Sequence, residues 1–142
     1  MKYHFERTFT DWLRKFLSAP FTLAMIVPLV FLDICIEVYH QTAFRLLRIP
    51  RVPRWDYIRI DRHKLSYLTP AQKVFCAYCG YANGLLPYAA KIAAESERYW
   101  CAVMHEKHGG NDTFVAPAHH KKFLAYGDSK GYEETLKRAK GE

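Results

Sequence analysis

The sequence has only four cysteines in 142 residues, and it has no set of side chains arranged like a known active site. So few cysteines exclude a small secreted domain held together by several disulfides. The length allows one domain with extra elements and excludes two full hydrophobic cores. Half of the residues are hydrophobic and 15% are aromatic, which excludes a disordered chain. We therefore expect a folded chain, with the part that contains Cys76, Cys79 and Cys101 in a reducing compartment.

Acidic side chains are scarce between Gln41 and Phe75, where two aspartates oppose eight basic residues and leave a net charge of +6. A basic block suits the phosphate groups of anionic lipids, and standing alone it would equally suit nucleic acid. Because an apolar segment precedes the block, we expect a membrane with anionic lipid as the partner and give nucleic acid less weight. The residues predicted to contact lipid are Arg45, Arg48, Arg51, Arg54 and Trp55.

The N-terminal third combines an amphipathic pattern over residues 1–18 with an apolar run from Phe16 to Leu32. The run is close to the shortest length that spans a bilayer, which is about 17 residues. Pro28 would kink a helix in the middle of the run. Two forms fit the pattern: a re-entrant hairpin with both ends on the cytoplasmic side, or one kinked spanning helix. A cleaved signal peptide fits poorly, because Asp33 follows the run where small residues should be.

Asp33, Glu37 and His40 are predicted to share one face of the helix that leaves the apolar run. Glu37 and His40 have the spacing that di-iron bundles use, but those sites need about four carboxylates and two such pairs. The favoured interpretation is therefore a polar stripe paired with nearby arginines. After it, the prolines and arginines of residues 48–56 predict an extended linker, and Tyr57 to Asp61 alternates as a short strand would.

The strongest local signal is a Cys-x-x-Cys pair, Cys76 and Cys79, followed by Gly80. Two thiolates at this spacing form a knuckle that holds one ion, and glycine allows the tight backbone that follows. A short helix from Pro70 would end near this knuckle, and a second helix from Pro87 would extend to about Lys107. Cys101 and His105 lie four residues apart on that second helix, so their side chains point the same way.

The spacing C-x2-C-x21-C-x3-H predicts a closed, tetrahedral zinc site of the Cys3His type, which would stabilise the fold without doing chemistry. Its ligands are Cys76, Cys79, Cys101 and His105.

Several alternatives stay open for the metal. Thiolates also suit an iron–sulfur cluster, which would make the chain an electron-transfer subunit. If His105 is not a ligand, a water in the fourth position would make a zinc-dependent hydrolase, with Glu97 as a base. His119 and His120 offer a substitute ligand or a phosphate contact. The plainer interpretations are a buried Cys101, a surface His105 and solvated charge at Glu97.

The stretch from Trp55 to His105 resembles a bacterial family of small hypothetical membrane-associated proteins. The shared motifs are a CxYCxYxNG knuckle, here Cys76 to Gly84, and a YWC-x3-H helix, here Tyr99 to His105. In that family proline tends to follow the third cysteine, and Ala102 stands there in this chain. The resemblance supports the metal ligands and implies no activity. Together with the reducing compartment inferred from the cysteines, it leads us to expect the bacterial inner membrane, with the metal-binding part facing the cytoplasm.

These patterns together predict a mainly α fold, with a kinked or re-entrant membrane-associated helix and a small zinc-knuckle domain that contains a long helix. The predicted function is a membrane-anchored zinc protein that acts as a non-catalytic accessory or docking subunit of a larger membrane complex. The predicted segments are 1–47 for the amphipathic and membrane helices, 48–70 for the basic linker, 71–127 for the metal-binding domain and 128–142 for a polar tail. Within the tail, Tyr132 to Lys140 is expected to form a short exposed helix.

Overall fold

The computed structural model describes residues 9–107, 109 and 115–140, and the first eight residues of the predicted amphipathic segment lie outside this part. The described chain is mainly helical and contains no β-strand, which confirms the predicted fold class at this level. Its α-helices are α1 (Phe9–Ala24), α2 (Ile26–Leu46), α3 (Pro70–Trp100) and α4 (Ser129–Lys140). The chain forms two compact units, Met1–Lys91 and Ile92–Glu142.

Helices α1 and α2 follow each other with only Met25 between them. Met25 has right-handed helical angles, φ −64° and ψ −12°, and its carbonyl accepts the N–H of Leu29 at 3.3 Å. The chain therefore does not turn back on itself inside the apolar run. The segment Leu13–Leu46 is 34 residues long and, by length and composition, apolar enough to cross a membrane.

After α2 the chain turns at Arg48, the one described non-glycine residue with a positive φ. The following linker lies against α2, with Val52 beside His40 and Arg54 beside Asp33. The short strand expected at Tyr57 to Asp61 is absent, and this expectation was wrong. The reason is that the backbone of Tyr57, Ile58 and Arg59 packs on α3, where no partner strand is available.

Helix α3 is a single helix of 31 residues, where the sequence analysis predicted two helices separated by a turn. Gly80 and Gly84 lie inside it, and each one admits the linker backbone. A Cβ on Gly80 would meet the carbonyl oxygen of Arg59 at 2.7 Å, and one on Gly84 would meet Cα of Ile58 at 2.7 Å. These glycines are explained by the close packing of the linker on α3. They do not form the tight turn that was predicted after Cys79. Pro87 is also inside the helix, although proline removes a backbone donor there.

The core of the first unit forms where α2, the linker and the middle of α3 meet. Its apolar side chains come from all three segments and are almost completely buried; they are Leu29, Phe44, Val52, Ile58, Leu85 and Tyr88. Burying a large apolar side chain contributes about 1.5–3 kcal/mol, so this small cluster is the main apolar stabilisation of the unit.

The second unit begins in the last turns of α3, which ends at Trp100 and not near Lys107 as predicted. Cys101 makes a last helical hydrogen bond to the Glu97 carbonyl at 2.7 Å, and the chain then becomes extended. Val103 forms an isolated parallel bridge with Leu124. Cys101 and His105 therefore lie beyond the end of α3 and do not share the helix face that was predicted for them. The helix predicted over Tyr132 to Lys140 is present as α4.

Candidate metal centre

One carboxylate in the last turn of α3 contacts two consecutive histidines. Oε2 of Glu97 lies 2.6 Å from Nε2 of His119, and Oε1 of Glu97 lies 3.0 Å from Nε2 of His120. The neighbouring acid, Glu95, pairs instead with Arg98 on the helix surface at 3.2 Å. Glu97 is thus the member of this acidic pair that faces the histidines, which belong to the 3-10 helix Ala118–Lys122.

His105 reaches the same place through the parallel bridge. The N–H of Met104 donates to the carbonyl of Leu124 at 2.8 Å, and the N–H of Leu124 donates to the carbonyl of Ala102 at 2.8 Å. These two bonds fix residues 102–104 beside Leu124, and the next residue, His105, lies against His120 with 5.3 Å between ring centroids. Potential ligand atoms of Glu97, His105 and His120 all lie within 4.8 Å of one another.

Apolar packing holds the central histidine in place. His120 is only 3% exposed and stacks on Phe123 at a centroid distance of 4.9 Å. The His119 ring meets His120 edge-on, at 4.7 Å between centroids. His105 remains exposed and Glu97 is half-buried. The group is therefore anchored on one side and accessible from solvent on the other.

The histidines stabilise the ionised form of Glu97. The hydrogen bond from His119 is the largest influence that lowers the pKa of Glu97, the bond from His120 adds to it, and partial burial opposes both. Because a carboxylate only accepts hydrogen bonds, each contacting Nε2 carries the hydrogen. A metal ion would replace the hydrogen on His120, and it would gain a carboxylate that is already ionised.

This donor set fits a divalent transition metal. Two imidazoles and one carboxylate form the protein ligand set of several catalytic zinc sites, where the fourth position is left for water or substrate. A cavity of about 360 Å³ adjoins His105 and also includes Met104, Lys107 and Tyr126 in its wall. The site therefore combines three suitable ligands with space for a small additional ligand.

The four ligands predicted from the sequence belong to both units: Cys76 and Cys79 are in the first, and Cys101 and His105 are in the second. Cys76 and Cys79 are half-buried within α3, residues 80–100 after them are all helical, and Cys101 is exposed just beyond the helix. Among the described residues, the group of three potential metal ligands is Glu97, His105 and His120. The Cys3His zinc site stays a prediction that shares only His105 with this group.

A second polar cluster joins α2, the linker and α3. The Arg54 guanidinium forms two hydrogen bonds of 2.6 Å to the two oxygens of the Asp33 carboxylate. Tyr81 donates to Asp33 at 2.7 Å. This arrangement confirms the interpretation of Asp33 as part of a polar stripe paired with an arginine.

The buried His40 continues this cluster. The Val52 N–H donates to Nε2 of His40 at 3.0 Å, so that nitrogen carries no hydrogen and Nδ1 of the neutral ring does. Nδ1 then donates to the Tyr88 hydroxyl at 3.0 Å, and that hydroxyl donates to Glu37 at 3.0 Å. Both ring nitrogens of His40 are occupied by these hydrogen bonds, which join α2, the linker and α3 and leave the ring no free nitrogen for a metal.

The five residues predicted to contact lipid differ in their surroundings. Arg54 is engaged with Asp33, whereas Trp55 is 75% exposed. Arg45 and Arg51 are exposed, and both donate to the same oxygen, Oε1 of Gln41, at 3.2 Å. Two guanidinium groups are thus held close together by a neutral acceptor.

No protein-family model, no curated protein and no solved structure matches this chain.

Proposed function

We propose that this protein is a membrane-attached metalloprotein whose metal is bound by Glu97, His105 and His120. The observation that carries the proposal is the convergence of these three side chains within 4.8 Å. They come from three separate segments of the second unit, and a hydrogen-bonded bridge and a stacked phenylalanine maintain two of them. Such preorganisation favours metal binding, because little ordering is needed when the ion arrives.

Zinc is the metal we propose. Two imidazoles and one carboxylate are the ligand set of several catalytic zinc sites and also of non-haem iron(II) sites, so the metal content of the purified chain distinguishes the two ions. Membrane attachment is proposed because Leu13–Leu46 is long and apolar. Only 6% of its most apolar window is buried inside the protein. The docking role in a larger membrane complex stays a prediction.

The test is metal content and affinity of the purified full-length chain. Glu97→Gln and His120→Ala should each lower zinc affinity by about 10-fold or more, since each removes one of three protein ligands. The matched control is His63→Ala, in an exposed 3-10 helix of the first unit. Stoichiometric zinc that survives in both site variants, and is lost in Cys76→Ser, would reject the Glu97 site and support the Cys3His prediction.

Hydrolysis is a second candidate function, favoured by the cavity beside His105. A zinc with three protein ligands keeps a position for water, and zinc lowers the pKa of bound water to about 7. Lys107 in the cavity wall would attract an anionic substrate group. Zinc-dependent cleavage of a carboxylic or phosphate ester should be weakened in Lys107→Ala while zinc stays bound. Equal rates with and without zinc would exclude this activity for the ester used.

A further inference from the structure

Helices α1 and α2 turn the same face toward the rest of the first unit along most of their length. In α1, Ala19 and Thr22 line a cavity of about 570 Å³ whose other wall contains Phe75 of α3. In α2, the inward positions change from apolar to polar and back; they are Leu29, Asp33, His40 and Phe44. These positions recur at spacings of three, four and seven, as one face of a helix does.

The opposite face is apolar and exposed. Its side chains project away from the inward stripe and are between 41% and 79% exposed; they are Phe9, Leu13, Leu17, Phe21, Val27, Phe31, Ile34 and Val38. At about 1.5 Å per residue, this face extends for about 44 Å, which exceeds the hydrocarbon thickness of about 30 Å. A soluble monomer rarely exposes so large a continuous apolar surface.

The path of the linker and of α3 is difficult to reconcile with a spanning helix. The linker is beside Asp33 at Arg54, and α3 starts beside α1, where Ala71 and Phe75 share the cavity wall with Lys15. The intervening residues therefore run alongside the apolar half of α1 and α2. They include several charged side chains, which would be placed at bilayer depth if the helix crossed; these are Arg59, Asp61, Arg62 and Lys64. Charged side chains at that depth are strongly disfavoured.

We propose that α1 and α2 lie in the plane of the membrane surface, with this exposed face among the lipid acyl chains and the linker and α3 on the water side. The inference rests on the membrane attachment proposed above and specifies its form. An in-plane helix needs a long apolar face and a polar opposite side, and it does not need a length matched to the bilayer.

Charge at the C-terminal end of the face supports a lipid partner. Arg45 follows Val38 by two helical turns, close to the plane of the apolar face, and shares Gln41 with Arg51. Two neighbouring guanidinium groups with a neutral acceptor between them suit the phosphate of an anionic lipid headgroup. The exposed Leu46 beside Arg45 continues the apolar surface to this point.

The experiment measures depth at three matched positions. Phe9, Phe21 and Phe31 are 74%, 79% and 70% exposed and lie near the start, middle and end of the face. Each would be replaced singly by fluorophenylalanine in the full-length protein, bound to vesicles of phosphatidylglycerol and phosphatidylcholine. A water-soluble gadolinium chelate then reports the distance of each fluorine from the aqueous phase through its relaxation rate.

In-plane insertion predicts the same relaxation enhancement at all three positions, within about a factor of two, because all three have one depth. A gradient, with Phe21 protected several-fold more than Phe9, would overturn the proposal and indicate a helix that enters the bilayer core. Flotation of the same samples distinguishes a wrong orientation of the helices from an absence of the proposed membrane attachment. Protein that does not float with the vesicles contradicts membrane attachment itself, and the in-plane proposal fails with it.

Discussion

Oε1 of Glu97 lies 3.0 Å from Nε2 of His120, although the two positions are 23 residues apart in the sequence. Glu97 is in the last turn of α3, and His120 is the buried residue of the 3-10 helix Ala118–Lys122. The parallel bridge between Val103 and Leu124 brings these segments together and adds His105. The proposed metal centre depends on this small piece of tertiary structure.

The fit of the linker against α3 predicts that Gly84→Ala destabilises the first unit. A Cβ at this position would meet Cα of Ile58 and the carbonyl oxygen of Tyr57, each at 2.7 Å, and backbone atoms move away only at a cost. Overpacking of this kind typically costs about 1–3 kcal/mol. Urea unfolding followed by circular dichroism measures the change in the free energy of unfolding.

The matched control for this substitution is Gly109→Ala, since no atom lies within 4 Å of a Cβ added there. Its free energy of unfolding should stay close to that of the natural chain. Equal stability of Gly84→Ala and Gly109→Ala would contradict the described packing of the linker.

Tyr88→Phe should destabilise the chain by removing one hydroxyl from the network around His40. The substitution leaves the Nδ1–H of His40, which is only 1% exposed, without its acceptor, and it removes the hydroxyl donor from Glu37. An unsatisfied buried donor costs about 1–3 kcal/mol. Tyr99→Phe, at a half-exposed tyrosine, is the control. If both variants unfold at the same urea concentration, the network does not exist as described.

Tyr81, which is half-buried, and Tyr88, which is buried, predict a loss of stability in alkaline solution. Burial raises the pKa of Tyr81 to about 12 and that of Tyr88 to about 12, and acceptance of their hydrogens by Asp33 and Glu37 acts in the same direction. The folded state therefore holds these protons more tightly than the unfolded chain, whose tyrosines titrate near pH 10. Their contribution is complete below about pH 10 and is lost as the pH rises toward about 12.

The measurement for the alkaline effect is urea unfolding at about pH 9 and about pH 11, in the natural chain and in Tyr81→Phe/Tyr88→Phe. The natural chain should lose more stability between the two conditions than the double variant does. An identical loss would show that these two hydroxyls do not titrate late.

Arg51 and Arg54 carry the same charge but are expected to have different roles. Arg51→Gln should weaken binding to anionic vesicles about fivefold, since one basic residue near such a surface contributes about 1 kcal/mol. Arg54→Gln should instead mainly lower stability, because it leaves the Asp33 carboxylate without its guanidinium. Vesicle sedimentation and urea unfolding of both variants check this. Interchanged effects would contradict the two assignments.

The sequence predicted the helical class, the C-terminal helix and the pairing of the polar stripe with an arginine, because these follow from local periodicity and composition. It did not predict that α3 is continuous. Gly80 and Pro87 suggested a turn and a helix start, and tertiary packing against the linker outweighed both signals. The prediction of a strand starting at Tyr57 was wrong for the same reason, since this backbone packs on α3.

The proposed metal centre was only partly visible in the sequence. His105 was predicted as a ligand, His120 as a substitute ligand, and Glu97 only as a base or as solvated charge. A set of ligands with separations of 8 and 15 residues matches no common spacing motif, and the bridge between Val103 and Leu124 that unites it has no local signature. The pattern of cysteines was the stronger signal in the sequence.

The most direct test of the metal centre is X-ray absorption spectroscopy of the zinc-loaded, full-length protein. Glu97, His105 and His120 would give only nitrogen and oxygen neighbours, at about 2.0–2.2 Å from the ion. This is the result that the account predicts. Sulfur neighbours at about 2.3 Å would contradict it and would indicate the cysteines Cys76, Cys79 and Cys101 as ligands.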